Sequence, residues 1–274
     1  MTHGTHAGYE RLFAELLPGS AAVAAMTGDA GTGVLTDAER TYIAGAVPKR
    51  VGEYAAARVC ARRAISRVRG VDGMPDPVPD LVPGPERDVT WPEGLVGAIT
   101  HCVGLRAAAI APADEVLSLG IDAEVNEPLP QDAWSVVSVP GEAEMIERLG
   151  GCSGVNTGVN LDRLLFSAKE SIFKAWFPLT RRWLDFTECR LTVRADSEDS
   201  ADSEDSADSA DSVGGGGADD LALPVAAGTF RGDFLVPGIE VPMSGGGPEN
   251  RVTGLNGRWC ATGSHLLTAV SLGR

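Results

Sequence analysis

The chain has 274 residues, enough for one large domain or two smaller ones around a sizeable core. It is 43% hydrophobic and 5% aromatic, with no apolar run of membrane-spanning length and no basic-then-apolar pattern at its start, so a non-membrane, cytoplasmic protein is expected. Its net charge of -15 is unevenly placed: ten acidic and no basic residues lie between Ala195 and Asp220, leaving -5 for everything else and nothing basic enough for a nucleic-acid footprint.

In chain order, Gly8 to Leu17 reads as a short helix with Tyr9, Leu12, Phe13, Leu16 and Leu17 on one side. Thr36 and Glu39 have capping-box spacing. A longer helix follows from Lys49 to Arg69, rich in alanine and arginine, and the proline-rich residues Met74 to Pro92 form an extended loop. Strands are expected over Leu95–Cys102, Arg106–Ala111 and Val116–Glu124. A helix starts near Pro140-Gly141-Glu142 and runs to Leu149. Leu161 to Phe177 has the strongest helical pattern, with Pro178 ending it. Strands return at Cys189–Arg194, Thr229–Val236, Arg258–Gly263 and His265–Leu272. Helices and strands in this order indicate an α+β class. The acidic Asp/Ser segment, about 195–220, has too little apolar surface to offset its ordering entropy and reads as a disordered insertion, and Met243 to Pro248 reads as a loop. Five scattered cysteines without a C-x-x-C pair argue against a disulfide framework or a zinc site.

Candidate chemistry sits in two places. In Gly120-Ile121-Asp122-Ala123-Glu124, strand alternation turns Asp122 and Glu124 to one face and Ile121 and Ala123 inward. Glu170, in the strong helix, offers a third carboxylate. Three converging carboxylates call for a hard divalent ion, and Lys169 and Lys174 beside them point to an anionic ligand such as a phosphate ester. Glu170 and Lys174 are also four residues apart, the spacing of a plain surface ion pair. Arg50 and Arg58 share a helix face and could grip one polyanion. His101, on an apolar strand, is either a satisfied structural residue or a phosphate donor beside the Thr100 hydroxyl.

Four segments in sequence resemble the 4′-phosphopantetheinyl transferases of the Sfp type, particularly the branch that activates siderophore and polyketide synthases. They are Pro48-Lys49-Arg50-Val51-Gly52-Glu53-Tyr54 continuing to Arg62; Trp91 to Cys102; Gly120 to Glu124; and Phe166-Ser167-Ala168-Lys169-Glu170-Ser171 continuing to Leu179. The resemblance implies a pseudo-dimer of two similar α+β halves, 1–113 and 114–274, with the active site in the cleft between them. It implies Mg2+ on Asp122, Glu124 and Glu170. Coenzyme A would be bound by Arg50, Arg58, Arg87, Thr100, His101, Asp122, Lys169 and Lys174. The reaction it implies is transfer of the phosphopantetheine arm to a serine of an acyl or peptidyl carrier domain, releasing adenosine 3′,5′-bisphosphate. Catalysis falls to Glu170 as base, Lys174 at the leaving phosphate and Lys169 at the transferred one. Partners would be carrier domains of polyketide, nonribosomal peptide, siderophore or fatty acid synthases, served by a monomer. Residues Phe177 to Phe186, with Arg181, Arg182, Trp183 and Leu184, offer an apolar and basic dock for an acidic carrier, although Trp183 and Phe186 could equally fill the core.

Ala98 stands where many relatives have serine, Phe173 replaces a frequent tyrosine, and the acidic insertion is not a family feature. The competing readings are another magnesium-dependent phosphoryl transferase, disfavoured by the lack of a G-x-x-x-x-G-K-[ST] or G-x-G-x-x-G loop, and an inert coenzyme A or carrier-binding module.

Overall fold

A computed structural model describes residues 4–86, 88–151, 158–196, 223–241 and 250–274. Arg87, Cys152, nearly all of the acidic insertion and the Met243–Pro248 loop lie outside the described residues. Helix α1 (Gly4–Leu16), strand β1 (Ala22–Met26) and helices α2 (Asp37–Ile43) and α3 (Pro48–Val68) make up the first part of the chain. Strands β2 (Leu95–Cys102), β3 (Leu105–Pro112) and β4 (Val116–Val125) follow, then α4 (Gln131–Val137), α5 (Glu142–Gly150) and α6 (Leu161–Thr180). Strands β5 (Cys189–Ala195), β6 (Ala226–Phe234), β7 (Ile239–Val241), β8 (Asn250–Val252), β9 (Gly254–Ala261) and β10 (His265–Gly273) complete the described elements. The class is α+β: three antiparallel sheets with separate helices, ordered β1-β3-β2, β4-β10-β9-β6-β5 and β7-β8.

Long helix α3 covers one face of the first sheet. Its Cys60, Ala61, Ala64 and Ile65 meet Ala24, Ala108 and Ile110, small side chains that let helix and strands approach closely. The other face carries Ala98, Ala107 and Ala109 into a core shared with Leu119 and Ile121 of β4, Leu267 and Ala269 of β10, and Tyr9, Leu12 and Phe13 of α1. The first helix therefore packs where the two sheets meet. Helix α6 covers the opposite face of the second sheet, with Leu165, Ile172 and Trp176 against Leu255, Trp259 and Leu266. Strands β2 and β4, each at the edge of its sheet, lie side by side, joined where the Ala123 N–H donates to Thr100 Oγ1 at 3.0 Å.

The readings of the chain need correction at several points, the unexpected short strands β7 and β8 among them. Strand β1 was not expected, because Ala22–Met26 is apolar on both sides: Ala24 enters the α3 core and Val23 and Ala25 the shared one, so no alternation marks it. Short α4 was also missed. Pro178 does not end α6, which continues to Thr180 and stops at left-handed Arg181, φ 53°. So close to the terminus, a missing N–H forfeits only one of the last intrahelical bonds. Among the described residues no helix is long and apolar enough to cross a membrane.

Candidate active site

The close approach of α6 to β4 builds the site. A Cβ on Gly120 would lie 2.0 Å from the Ser171 carbonyl oxygen, so only glycine allows this contact, and it brings Asp122 against the helix. Asp122 is 4% exposed. Its Oδ1 accepts from Thr100 Oγ1 at 3.1 Å and Lys174 Nζ at 2.7 Å, and its Oδ2 accepts from Ser167 Oγ at 2.8 Å. Lys174 also donates to the Ile121 carbonyl at 3.1 Å. Glu124 accepts from Arg163 Nη1 at 3.2 Å, and Arg163 is anchored in turn on the Glu127 and Pro128 carbonyls.

Helical geometry explains which side chains meet. At about 100° per residue, positions 163, 167, 170 and 174 form one stripe, while 169 points well aside. Lys169 is accordingly not at the site: its ammonium donates to the Val137 carbonyl (2.8 Å), Glu142 Oε2 (2.9 Å) and the Phe186 carbonyl (2.9 Å). With three protons and three acceptors, and a side chain 1% exposed, it has none left for a phosphate. Thr100 is likewise committed. It is buried, and its one hydroxyl proton goes to Asp122. Sequence reasoning placed both at the ligand and missed Arg163 and Ser167, whose positions on the Glu170–Lys174 stripe were the available signal.

Electrostatics tie the three carboxylates together. Burial and then the Asp122 charge raise Glu124 to about 7, against the opposing pull of Arg163 and Lys174. Burial also raises Glu170, with Asp122 adding to the rise and Lys174 opposing it. Among the described residues no three His, Cys, Asp or Glu side chains are gathered closely enough to hold an ion, so the expected triad is not assembled as a ready cluster. The physical reason is that Lys174 and Arg163 already lie on the oxygens of Asp122 and Glu124. The donor set nevertheless suits Mg2+: hard oxygens, electrostatically coupled, with two acids that burial and their neighbour's charge make costly to ionise without a cation.

Glu170 and Lys174 open onto a 280 Å³ cavity between α6 and β2, lined also by Ala98, Phe173 and Trp183. It shares Val89 and Ile99 with a second cavity of 440 Å³, which holds Arg50, Arg58 and His101. Arg50 and Arg58 of α3 thus line one cavity. Arg50 Nη1 donates to His101 Nε2 at 2.7 Å. Loss of solvent around the ring and the Arg50 charge hold His101 below the usual histidine range. Arg58 stacks its guanidinium 3.9 Å above the Tyr54 ring and donates from Nε to the Leu81 carbonyl at 2.8 Å. Another residue missed from sequence, Arg106, pairs directly across the strands with His101 and bridges Asp29 (2.7 Å) and Glu53 (3.4 Å).

A third cavity, 250 Å³, adjoins the first through Glu170, Phe173 and Trp183. Trp183 is 70% exposed at this rim and lies 4.8 Å from the Phe173 ring, so it belongs to the surface, not the core. Phe186, by contrast, is partly buried against Phe166.

The 4′-phosphopantetheinyl transferase N-terminal domain model matches residues 38–111, and the 4′-phosphopantetheinyl transferase superfamily model matches 118–226. The chain is 42% identical over 85% of its length to the 4′-phosphopantetheinyl transferase Svp of Streptomyces mobaraensis, covering 77% of that protein. It is 36% identical, again over 85% of its length, to Npt of Nocardia iowensis, covering 87% of it. PptT of Mycobacterium tuberculosis is 40% identical over 58% of this chain and 65% of its own length. Both are also named 4′-phosphopantetheinyl transferases.

Proposed function

Since the chain belongs to the 4′-phosphopantetheinyl transferase superfamily, we propose that its cleft moves the phosphopantetheine arm of coenzyme A onto a carrier-domain serine. The observation that carries this reading is the α6 stripe of Arg163, Ser167, Glu170 and Lys174 facing Asp122 and Glu124, beside a cavity that shares Val89 and Ile99 with the one holding Arg50, Arg58 and His101. Residues 1–113 and 114–274 form the two halves of a pseudo-dimer on this reading.

The 3′-phosphate and adenosine end of coenzyme A lies in the cavity of Arg50, Arg58 and His101. The arm lies in the cavity of Phe173 and Trp183. The serine oxygen forms a new bond to the phosphorus that carries the arm. The bridging oxygen leaves with adenosine 3′,5′-bisphosphate, and the serine proton passes to a base. Glu170 takes that proton, since burial raises its basicity and it lines the cavity beside Lys174. Lys174 faces the charge that develops on the leaving phosphate. Asp122, Glu124 and Glu170 would hold Mg2+, which when bound supplies neutralising charge to the pyrophosphate. Ser167 and Thr100 act by orienting Asp122. The carrier docks beside Trp183, Arg181 and Arg182, where an exposed aromatic and two cations suit an acidic partner; polyketide, nonribosomal peptide, siderophore and fatty acid carriers all fit that description.

The test is to incubate the protein with coenzyme A, Mg2+ and an apo-carrier and weigh the carrier. A gain of one phosphopantetheine arm, lost in Glu170→Gln, is the expected outcome. No gain with a panel of carriers would leave an inert binding module as the better description.

A further inference from the structure

Arg163 is held in place by groups that have no part in the chemistry. Its three guanidinium nitrogens each donate to a different oxygen: Nη1 to Glu124 Oε2 at 3.2 Å, Nε to the Glu127 carbonyl at 3.1 Å and Nη2 to the Pro128 carbonyl at 3.0 Å. The turn that supplies those carbonyls is itself tied to the start of α6. The Leu129 N–H donates to Asp162 Oδ2 at 2.8 Å. Asn126 accepts twice from Asn160, through its Oδ1 from the backbone N–H at 2.9 Å and through its carbonyl from Nδ2 at 2.8 Å. A planar fork on a braced turn does not follow a moving carboxylate, so Glu124 must come to the fork. The two side chains are only 19% and 22% exposed, which sets the pair apart from a loose surface bridge.

The consequence is a count of open carboxylate oxygens. Glu124 has Oε2 engaged, while its Oε1 accepts no hydrogen bond from the described residues. Asp122 has both oxygens engaged, Oδ1 by Thr100 and Lys174 and Oδ2 by Ser167. Glu170 has no side-chain hydrogen bond or ion pair among the described residues. An oxygen that already accepts a charge-assisted hydrogen bond is a poor partner for a second cation. That matters differently to different ions. Ca2+ gathers about six to eight oxygens and draws on carboxylates that grip with both, whereas Mg2+ takes fewer at shorter range and completes its shell with waters and phosphate oxygens. We infer that Arg163 is a positioning residue that sets the metal preference of the site. By engaging Glu124 Oε2 it leaves that carboxylate to bind through one oxygen, which suits Mg2+ and penalises Ca2+. This rests on the reading of Asp122, Glu124 and Glu170 as the Mg2+ ligands.

Mg2+ and Ca2+ carry the same charge, so losing the Arg163 charge shifts both affinities alike and cancels in their ratio. A change in the oxygens on offer does not cancel. The test titrates Mn2+ into the full-length protein with coenzyme A and no carrier, against coenzyme A alone. Free Mn2+ is followed by electron paramagnetic resonance and the bound ion is displaced with Mg2+ or with Ca2+. The unmodified protein should prefer Mg2+, and Arg163→Gln should move the Mg2+/Ca2+ affinity ratio towards Ca2+ by roughly tenfold. Arg163→Lys keeps the charge and loses the fork, so it should move the ratio the same way. An unmoved ratio in Arg163→Gln, or a ratio that lysine restores, overturns the inference and leaves the transferase reading standing. A preference of the unmodified protein for Ca2+ overturns it without recourse to any variant. Failure of the unmodified protein to bind Mn2+ overturns the metal assignment itself, and the inference with it.

Discussion

Lys169 and Lys174 are five residues apart and chemically identical, yet they answer to different neighbours. Lys174→Ala should reduce transfer strongly while changing the melting temperature by only a few degrees. Lys169→Met should do the reverse, because it strands Glu142 without its partner in the interior, a loss of about 3–5 kcal/mol read by denaturant unfolding. Charge and motif position made these lysines look equivalent in the sequence; the 100° offset between adjacent helix positions separates them. The same wheel would have found Arg163 and Ser167, whereas Arg106 was hidden because its partner His101 is defined only by strand register.

His265 gives a residue-scale pH prediction. Its Nδ1 accepts from the Tyr9 hydroxyl at 2.7 Å and its Nε2–H donates to the Val103 carbonyl at 2.9 Å, so the neutral ring is the form that fits. Burial holds the His265 pKa below the usual histidine range, while the Val103 bond pulls the other way. The unfolded chain then binds the proton more readily, so this contribution is complete above about pH 6.5 and declines as pH falls from there through the folded value. Raised Glu124 and Glu170 have the opposite sign, and lowered His101 the same sign. The difference between wild type and His265→Gln therefore isolates the effect. In thermal unfolding the gap should narrow from pH 7 to pH 5.

At the scale of elements, the decisive contact is α6 on β4. Gly120→Ala should cost about 1–3 kcal/mol or more, since the added methyl meets backbone at 2.0 Å and neither partner can turn aside. Transfer should fall with it, because any retreat of the helix takes Ser167 and Lys174 away from Asp122. A variant with wild-type stability and rate would show that the approach is not required. The sequence made both elements legible through their periodicity, since α6 carries one apolar stripe and the residue types of β4 alternate from Leu117 to Glu124, although both faces of that strand are largely buried. Strand β1 was illegible for the converse reason: buried on both sides and built largely of alanine, it has neither alternation nor strand preference. The small α4 has too few residues for a helical period to show.

At the scale of the whole molecule, the site depends on two sheets meeting along β2 and β4, and on the proposed function the carrier would approach it past Trp183. Arg181→Glu with Arg182→Glu should raise the carrier KM about tenfold, as loss of one to two kcal/mol of charge complementarity implies, with the coenzyme A KM little changed. An unchanged carrier KM would move the docking surface elsewhere. None of this long-range arrangement was readable from local pattern, because it rests on pairings between distant parts of the chain.

Among the described residues, strand β4, which carries Asp122 and Glu124, is hydrogen-bonded within its sheet to β10 alone, residue 116 opposite residue 273 and residue 125 opposite 265. On the ribosome, the two carboxylates therefore emerge on a strand whose partner is still some 140 residues from being made. Until β10 arrives, β4 is an open edge with an apolar underside, exposed to the wrong pairings that such edges invite. The order of synthesis thus makes the acidic half of the site among the last parts of this protein to become whole, and translation pauses between β4 and β10 should cost yield before they cost activity per molecule.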